Sequence, residues 1–178
     1  IKPIKVVVDR EQDRSAPRGT GDVKVGGNYA SSILSGERAH QLGYSNVLYL
    51  DPVERKYIEE CGAANFFGIR DGLYVTPKST SILPSITNKS LRRLAEDLGL
   101  KVEERRVPVD ELAQFTECGA CGTAAVISPI CKIVDLDTDK VYDFGDRVGE
   151  YSLKMYSMLQ DIQYGRAEDK YGWTTVIE

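Results

Sequence analysis

Histidine and cysteine are scarce in this sequence, which limits the metal and disulfide chemistry available to it. The 178 residues include one histidine, His40, and four cysteines. A structural zinc site usually needs two pairs of ligands, and disulfide-stapled proteins are shorter chains with denser cysteine. Cys118 and Cys121 have C-x-x-C spacing, but Cys61 and Cys131 stand alone, and the residues after Cys121 indicate a strand rather than the helix of a redox motif. The pattern favours small buried thiols over a zinc site or a redox pair, and we expect no metal.

The sequence also lacks an excess of basic over acidic residues, and it lacks a long apolar segment. The formal net charge is -4, whereas domains that bind nucleic acid usually carry a basic face. No apolar run approaches the roughly 20 residues that cross a bilayer. We therefore expect a soluble, cytoplasmic protein that binds neither nucleic acid nor membranes. The chain starts at Ile1 without an initiator methionine, which fits a processed product or a truncated fragment.

Strands and helices alternate along the chain. The clearest helix covers residues 88–98, because Leu91, Leu94 and Leu98 recur at helical spacing and Thr87 can cap the first turn. Regular interleaving of the two element types predicts an α/β domain. The predicted strands cover residues 4–8, 47–50, 65–69, 73–75, 101–107, 124–127, 132–134 and 141–144, and the predicted helices cover residues 28–42, 88–98 and 148–164.

A glycine-rich loop precedes the first predicted helix and contains a lysine. The segment 19–29, GTGDVKVGGNY, places Lys24 among these glycines, which allow a backbone to approach a ligand closely. It does not match the G-x-x-x-x-G-K-[ST] loop of nucleotide triphosphatases, so we exclude that class. Taken alone, the loop fits a plain connection with a solvated lysine equally well.

The segment 24–29, KVGGNY, closely resembles the lysine motif of branched-chain aminotransferases, which are fold-type IV pyridoxal-phosphate enzymes. Other segments resemble further motifs of that family, in the same order and over essentially the whole chain. They are the glutamate segment 58–66 (IEECGAANF), the phosphate turn 81–87 (SILPSIT), the second turn 122–125 (GTAA) and the tail 161–166 (DIQYGR) with 173–174 (WT). The resemblance implies a mixed-sheet, barrel-like domain that binds pyridoxal 5'-phosphate.

The resemblance also assigns roles around the reactive centre of the cofactor. Lys24 would form a Schiff base with the cofactor aldehyde and move the proton between the substrate Cα and the cofactor C4′. Glu60 would lie beside the pyridine nitrogen and keep it protonated, as an electron sink requires. Tyr29 would donate a hydrogen bond to the phenolic oxygen of the cofactor. Glu59 would point to the opposite face of an extended segment.

The remaining assignments concern the ring, the phosphate and the substrate carboxylate. Leu83 would pack against the ring, and Ile86 and Thr87 would bind the phosphate at the start of a helix, where backbone N–H groups are free. The resemblance gives Thr123 a second phosphate contact. It also assigns the substrate carboxylate to backbone N–H groups of Thr123 and Ala124.

Two positions depart from the family pattern. Ser85 occupies a position where the family usually has glycine, so the phosphate turn is expected to have an altered geometry. Ala63 stands where some relatives carry threonine, which removes one hydroxyl near the substrate.

The implied function is transfer of the amino group of leucine, isoleucine or valine to 2-oxoglutarate, with these amino acids and 2-oxo acids as partners. D-amino-acid aminotransferases and aminodeoxychorismate lyases share the fold. The GGNY at residues 26–29 and the QYGR at residues 163–166 are unlike the sequences expected of them. A non-catalytic fragment is the alternative from another class.

The family also has a smaller N-terminal domain, which provides an arginine for the phosphate, part of the substrate pocket and much of the dimer contact. Nothing before Lys24 is long enough to be that domain. We therefore expect residues 1–178 to be the C-terminal cofactor-binding domain, inactive alone, of an enzyme that is a homodimer at full length.

Overall fold

The computed structural model describes residues 1–177, which form nine strands and four α-helices. The strands are β1 (Ile4–Asp9), β2 (Asn46–Leu50), β3 (Ile58–Cys61), β4 (Ala64–Arg70), β5 (Leu73–Pro77), β6 (Lys101–Arg105), β7 (Glu117–Gly122), β8 (Val126–Asp135) and β9 (Lys140–Asp143). The helices are α1 (Gly26–Ala30), α2 (Ser32–Gln41), α3 (Ile86–Asp97) and α4 (Glu150–Gln163), and a 3-10 helix covers Val109–Gln114. Within this described part, no helix is both long and apolar enough to cross a membrane.

Six of the strands close into a barrel. The order is β3-β2-β1-β8-β7-β4, and pairing between β3 and β4 completes the ring. Strand β1 is parallel to β2 and β8, whereas the other four pairings of the ring are antiparallel. Strands β5 and β6 extend the sheet beyond β4, and β9 pairs with β8. Closure removes the exposed strand edges, and the expected mixed-sheet, barrel-like fold is confirmed.

Alternate side chains of the barrel strands point to opposite faces of the sheet. On β1, Val6 and Val8 belong to the largest core cluster, whereas Val7 packs with Ala39 of α2. On β4, Phe66 belongs to that largest cluster. Phe67 and Ile69 point to the other face of the strand and pack with residues of α3 and α4. The face without helices forms the interior of the barrel, since successive residues of a strand alternate in direction.

Helices α3 and α4 cover the outer face of the sheet. Leu91, Leu94 and Ala95 of α3 are fully buried, as are Met155 of α4 and Tyr74 of β5. The apolar spacing of the sequence predicts both helices, and each lies within one or two residues of its predicted bounds. Packing of this apolar stripe, more than local helix propensity, holds α3 in place beside the cavity described below.

The hairpin between β4 and β5 is also as predicted. Asp71 and Gly72 have φ values of 46° and 75°, the left-handed conformation that a two-residue hairpin turn needs. The predicted helix over 28–42 is instead two helices, α1 and α2, which meet at Ser31. Gly43 follows with a φ of 83° and ends the helical segment as expected.

The region 117–135 differs most from the sequence-based expectation. The predicted strands 124–127 and 132–134 are parts of one strand, because β8 runs without interruption from Val126 to Asp135. The prediction is wrong only at residues 124–125, which lie in a turn over residues 123–125. Strand β7 is not predicted at all, since its small residues have little strand propensity. Pairing with β4 on one side and β8 on the other fixes it as a strand. A side chain at Gly119 would collide with the ring of Phe67, so a small residue is required there.

Candidate active site

Two adjoining cavities lie beside the turn between β7 and β8. The smaller has a volume of about 260 Å³ and the larger about 500 Å³. Lys24, Ala63, Gly122 and Thr123 line both of them. The loop that carries the lysine and the turn that carries Thr123 therefore face one common space.

The loop before Lys24 is held by a buried amide on α1. The side-chain Nδ2 of Asn28 donates to the backbone oxygens of Thr20, at 2.6 Å, and of Val23, at 2.9 Å. The Thr20 hydroxyl donates in turn to Oδ1 of Asn28 at 3.1 Å. These bonds satisfy loop carbonyls that would otherwise be unpaired, and they fix the turn from which Lys24 projects.

The same loop docks closely on the segment that leads to α3. A side chain at Gly21 would run into the backbone oxygen of Ser81 and into Oγ of Ser15. Glycine is therefore required at position 21 by close backbone approach. The docking brings the lysine loop against residues 81–87, the segment predicted to bind phosphate.

Glu60 lies directly behind the wall of the smaller cavity. It is 2 % exposed and stands opposite Asn65 in the pairing of β3 with β4. Asn65, which lines the cavity, donates from Nδ2 to Oε1 of Glu60 at 2.5 Å and to the backbone oxygen of Leu83 at 3.2 Å. The other oxygen, Oε2, is 2.8 Å from Nε of Arg14.

Burial and ion pairing shift the pKa of Glu60 in opposite directions. Removal from water raises the pKa of Glu60 from 4.5 to about 7, even though the Arg14 charge and the Asn65 hydrogen bond favour the ionised form. Glu59 has a different partner, the hydroxyl of Ser79 at 2.9 Å, and burial raises its pKa as well. A carboxyl whose pKa burial has moved towards neutrality can share a proton with a weakly basic partner.

The first turn of α3 forms another wall of the smaller cavity. Ser85 caps this helix, since its hydroxyl accepts from the backbone N–H of Asn88 at 3.2 Å. Thr87 is therefore not the cap, and the helix begins two residues earlier than predicted. Within residues 1–177 the N–H groups of Ile86 and Thr87 have no hydrogen-bond partner, as is usual in a first turn. Such groups bind anions readily.

The larger cavity adds the remaining predicted side chains. Tyr29 of α1 and Ala124 of the β7–β8 turn line it together with Lys24 and Thr123. Tyr29 keeps 39 % of its surface exposed, and residues 123–125 are exposed as well. Tyr29 and the turn at Thr123 therefore border open space in this chain.

The predicted residues thus converge, although not all of them reach the cavity surface. Lys24, Leu83, Ile86 and Thr123 line the smaller cavity. Glu60 stands one side chain behind it, and Thr87 lies in the adjoining helical turn without lining it. Together these groups can accommodate a molecule with an anionic end at α3, a basic nitrogen near Glu60 and an electrophilic carbon near Lys24.

Three residues of the site escape sequence reasoning from local patterns: Arg14, Asn28 and Asn65. All three are buried, although buried arginine and asparagine are uncommon. Asn28 and Asn65 lie inside segments that resemble family motifs, so the signal for them was present. Arg14 lies in a polar loop, where its burial depends on contacts with distant segments.

The four cysteines are free thiols, and three of them are buried as expected. Burial raises the pKa of Cys61 to about 12 and raises those of Cys118 and Cys121 as well. Thiols in this state are poor nucleophiles. Cys118 and Cys121 lie within β7, not before a helix.

In comparisons with known proteins, the chain matches aminotransferases. The model of the family "Amino-transferase class IV" matches residues 1–133. A branched-chain-amino-acid aminotransferase of Helicobacter pylori is 52% identical over 90% of this chain and 47% of its own length. The chain spans about half the length of the curated relatives it matches.

Solved structures give the same result. The branched-chain amino acid aminotransferase of Escherichia coli has a TM-score of 0.84 and 32% identity, over 97% of this chain and 55% of that one. The branched-chain amino acid aminotransferase of Thermobaculum terrenum in its PLP-form has a TM-score of 0.85 and 32% identity, over 97% of this chain and 55% of that one.

Proposed function

The chain belongs to the class IV aminotransferases, and on that premise we propose that it is the C-terminal, cofactor-binding domain of a pyridoxal-phosphate-dependent branched-chain aminotransferase. The complete enzyme would transfer the amino group of leucine, isoleucine or valine to 2-oxoglutarate. The observation that carries this proposal is the convergence of Lys24 and the first turn of α3 on one cavity, with the buried Glu60 directly behind the cavity wall, bonded to Asn65. The names of two relatives that are 52% and 47% identical to this chain support the substrate class.

The residues around the cavity fit the cofactor in two respects. The free N–H groups of Ile86 and Thr87 match a phosphate, which helix N-termini bind through such groups. The Glu60 carboxyl, with its pKa raised to about 7 by burial, matches a ring nitrogen that must hold a proton. Bound pyridoxal phosphate supplies an electron sink that stabilises negative charge at the substrate Cα.

Each side chain then has a defined task. Lys24 would hold the cofactor through its Nζ and would carry the proton removed from the substrate Cα. Glu60 would hold the proton on the ring nitrogen, and Tyr29 would hydrogen-bond the phenolic oxygen. Leu83 would cover one face of the ring and keep water away from it.

The β7–β8 turn and α3 hold the charged groups at the two ends of the site. Ile86, Thr87 and Thr123 would bind the phosphate. The backbone N–H groups of Thr123 and Ala124 would hold the substrate carboxylate and so orient the Cα towards Lys24.

The rest of the active site would come from outside residues 1–178. Ile86 is 73 % exposed although it lies at the cavity, and Val23 and Val25 beside Lys24 are also exposed. A smaller N-terminal domain and the second subunit of a homodimer would cover these apolar groups and add an arginine for the phosphate. A cytoplasmic location belongs to the same proposal, since free thiols such as the four here persist in reducing compartments.

Reductive trapping tests the proposal directly. The full-length protein, purified with pyridoxal phosphate, should be yellow, and borohydride should fix the cofactor to a single peptide containing Lys24. A Lys24→Ala variant should show no trapped cofactor, whereas a Lys78→Ala variant should trap it fully, because Lys78 does not line the cavity with Lys24. Labelling at another lysine in the unmodified protein would refute the assignment.

A further inference from the structure

Arg14 is a buried cation in a loop whose sequence gives no indication of a function. It lies between β1 and Lys24 and is 7 % exposed. Arginine is rarely buried to this extent unless a partner balances its charge. The partners of Arg14 are spread over three segments of the chain, which makes the residue more than a local connection.

The guanidinium joins the lysine loop to the segment that leads to α3. Its Nη2 donates to the backbone oxygen of Gly21 at 2.8 Å and also to the backbone oxygen of Ser81. The backbone oxygen of Arg14 accepts from the hydroxyl of Ser31 at 2.9 Å, which ties the residue to the junction of α1 and α2. One side chain therefore fixes the spacing between Lys24 and the first turn of α3.

A fourth contact joins Arg14 to Glu60, the proposed acid of the site. Nε of Arg14 is 2.8 Å from Oε2 of Glu60, and in the described part of the chain this Nε has no aligned hydrogen-bond acceptor. The contact is therefore a charge pair. Asn65 holds the opposite oxygen, Oε1, and a carboxylate oxygen can accept from more than one donor. Both Glu60 oxygens are thus positioned and still able to accept a further hydrogen bond.

The other titratable groups near Glu60 oppose its ionisation or are neutral. Glu59 precedes it on β3 and disfavours its charge. Cys61 on β3 and Cys121 on β7 are buried thiols whose pKa values are raised by burial and by the Glu60 charge. Arg14 is the cation whose charge favours ionised Glu60.

We propose that Arg14 is a positioning residue of the proposed transamination, which favours the ionised form of Glu60, aligns its carboxylate for the cofactor ring nitrogen and fixes the Lys24 loop relative to α3. The inference rests on the proposed function for the identity of the ring. The link between Arg14 and Glu60 itself can be measured without any cofactor.

The test is a titration of Glu60 in the cofactor-free full-length protein, by carbon-13 NMR of the glutamate carboxyls, with Glu60→Gln to assign the signal. Arg14→Gln should raise the pKa of Glu60 by about 1 to 3 pH units, the usual effect of one adjacent charge. Arg14→Lys keeps the charge and should restore much of the unmodified titration. Arg10→Gln is the matched control, because Arg10 pairs with buried Asp135 elsewhere and should leave the Glu60 titration unchanged.

A second measurement uses the unmodified protein alone and so does not depend on whether the variants fold. In that protein, the nitrogen-15 resonance of Arg14 Nε should shift with pH along the same curve as the Glu60 carboxyl. A third measurement uses the folded Arg14→Gln variant loaded with cofactor, in which the acidic limb of the kcat/KM profile should move to higher pH. An Nε resonance that ignores the Glu60 titration, or an unchanged Glu60 titration in Arg14→Gln, would overturn the inference. Failure of the Lys24 trapping experiment, by contrast, would count against the proposed function alone.

Discussion

Glu60 shows how the surroundings of a single side chain set its chemistry. The carboxyl is almost fully buried, and removal from water raises its pKa to about 7. The Arg14 charge and the Asn65 hydrogen bond lower the pKa and so limit this increase. In the absence of a bound cation, the group is therefore close to half protonated near neutral pH. A protonated, positively charged ring nitrogen beside Glu60 would lower the pKa of the carboxyl and hold it in its ionised form.

Replacing Glu60 with glutamine should leave the cofactor bound but slow transamination by roughly 100-fold or more, because an amide cannot hold a proton on the ring nitrogen. Trapped cofactor measures the binding, and single-turnover kinetics with leucine measure the rate. Glu59→Gln is the matched control, since Glu59 is its buried neighbour but contacts Ser79 instead. Equal rate losses in the two variants would show that burial alone, and not a role at the ring, explains the effect.

The raised pKa of Glu60 also predicts how stability changes with pH. Between pH 4.5 and about 7 the folded, cofactor-free protein retains a proton on Glu60 that the unfolded chain has released. Stability contributed by this group is therefore complete below pH 4.5 and is lost as the pH rises to about 7. The loss amounts to about 3 kcal/mol. Urea unfolding at a series of pH values gives the free energy of unfolding, and in Glu60→Gln its decrease between pH 4.5 and about 7 should be smaller by this amount. A pH dependence identical to that of the unmodified protein would contradict the prediction.

At the scale of elements, the docking of the lysine loop depends on a missing side chain. Gly21→Ala would push a methyl group into the Ser81 carbonyl and the Ser15 hydroxyl. The Ser81 carbonyl belongs to the backbone and cannot move without displacing its segment. We expect a loss of about 1–3 kcal/mol in the free energy of unfolding, as for other overpacked sites, and weaker cofactor retention. Gly36→Ala is the control, because nothing lies within 4 Å of its added methyl on α2. It should be neutral or slightly stabilising.

Elements with a strong local pattern were predictable, and elements fixed by distant pairing were not. Helix α3 follows from leucines that recur on one face, and the β4–β5 hairpin follows from Asp71-Gly72, which adopts the positive φ values of a tight turn. Strand β7 has no such local signal, since it is made of small residues and becomes a strand only between β4 and β8. The sequence predicts the start of α3 two residues too late, because Ser85, and not Thr87, caps the helix.

At the scale of the whole molecule, the cavity is open on the side of Lys24, Tyr29 and Ile86. Residues 1–178 expressed alone should therefore show very low or no transaminase activity with leucine and 2-oxoglutarate, while the full-length protein is active. Mixing the fragment with a separately expressed N-terminal portion should restore part of the activity. Full activity from residues 1–178 would show that no further domain is needed.

The amino-acid sequence is sufficient to predict the family and, through the resemblance of its motifs, the residue types of the site: a lysine among glycines, an acid in an extended segment and hydroxyls at turns. Which of these groups contact one another follows from the three-dimensional fold alone. The barrel brings β3 beside β4, so that Asn65 meets Glu60, and the loop after β1 folds back so that Arg14 reaches both Glu60 and Ser81. Those contacts join residues far apart in the chain, and their burial, which sets the charge of Glu60, arises only when the strands close around them.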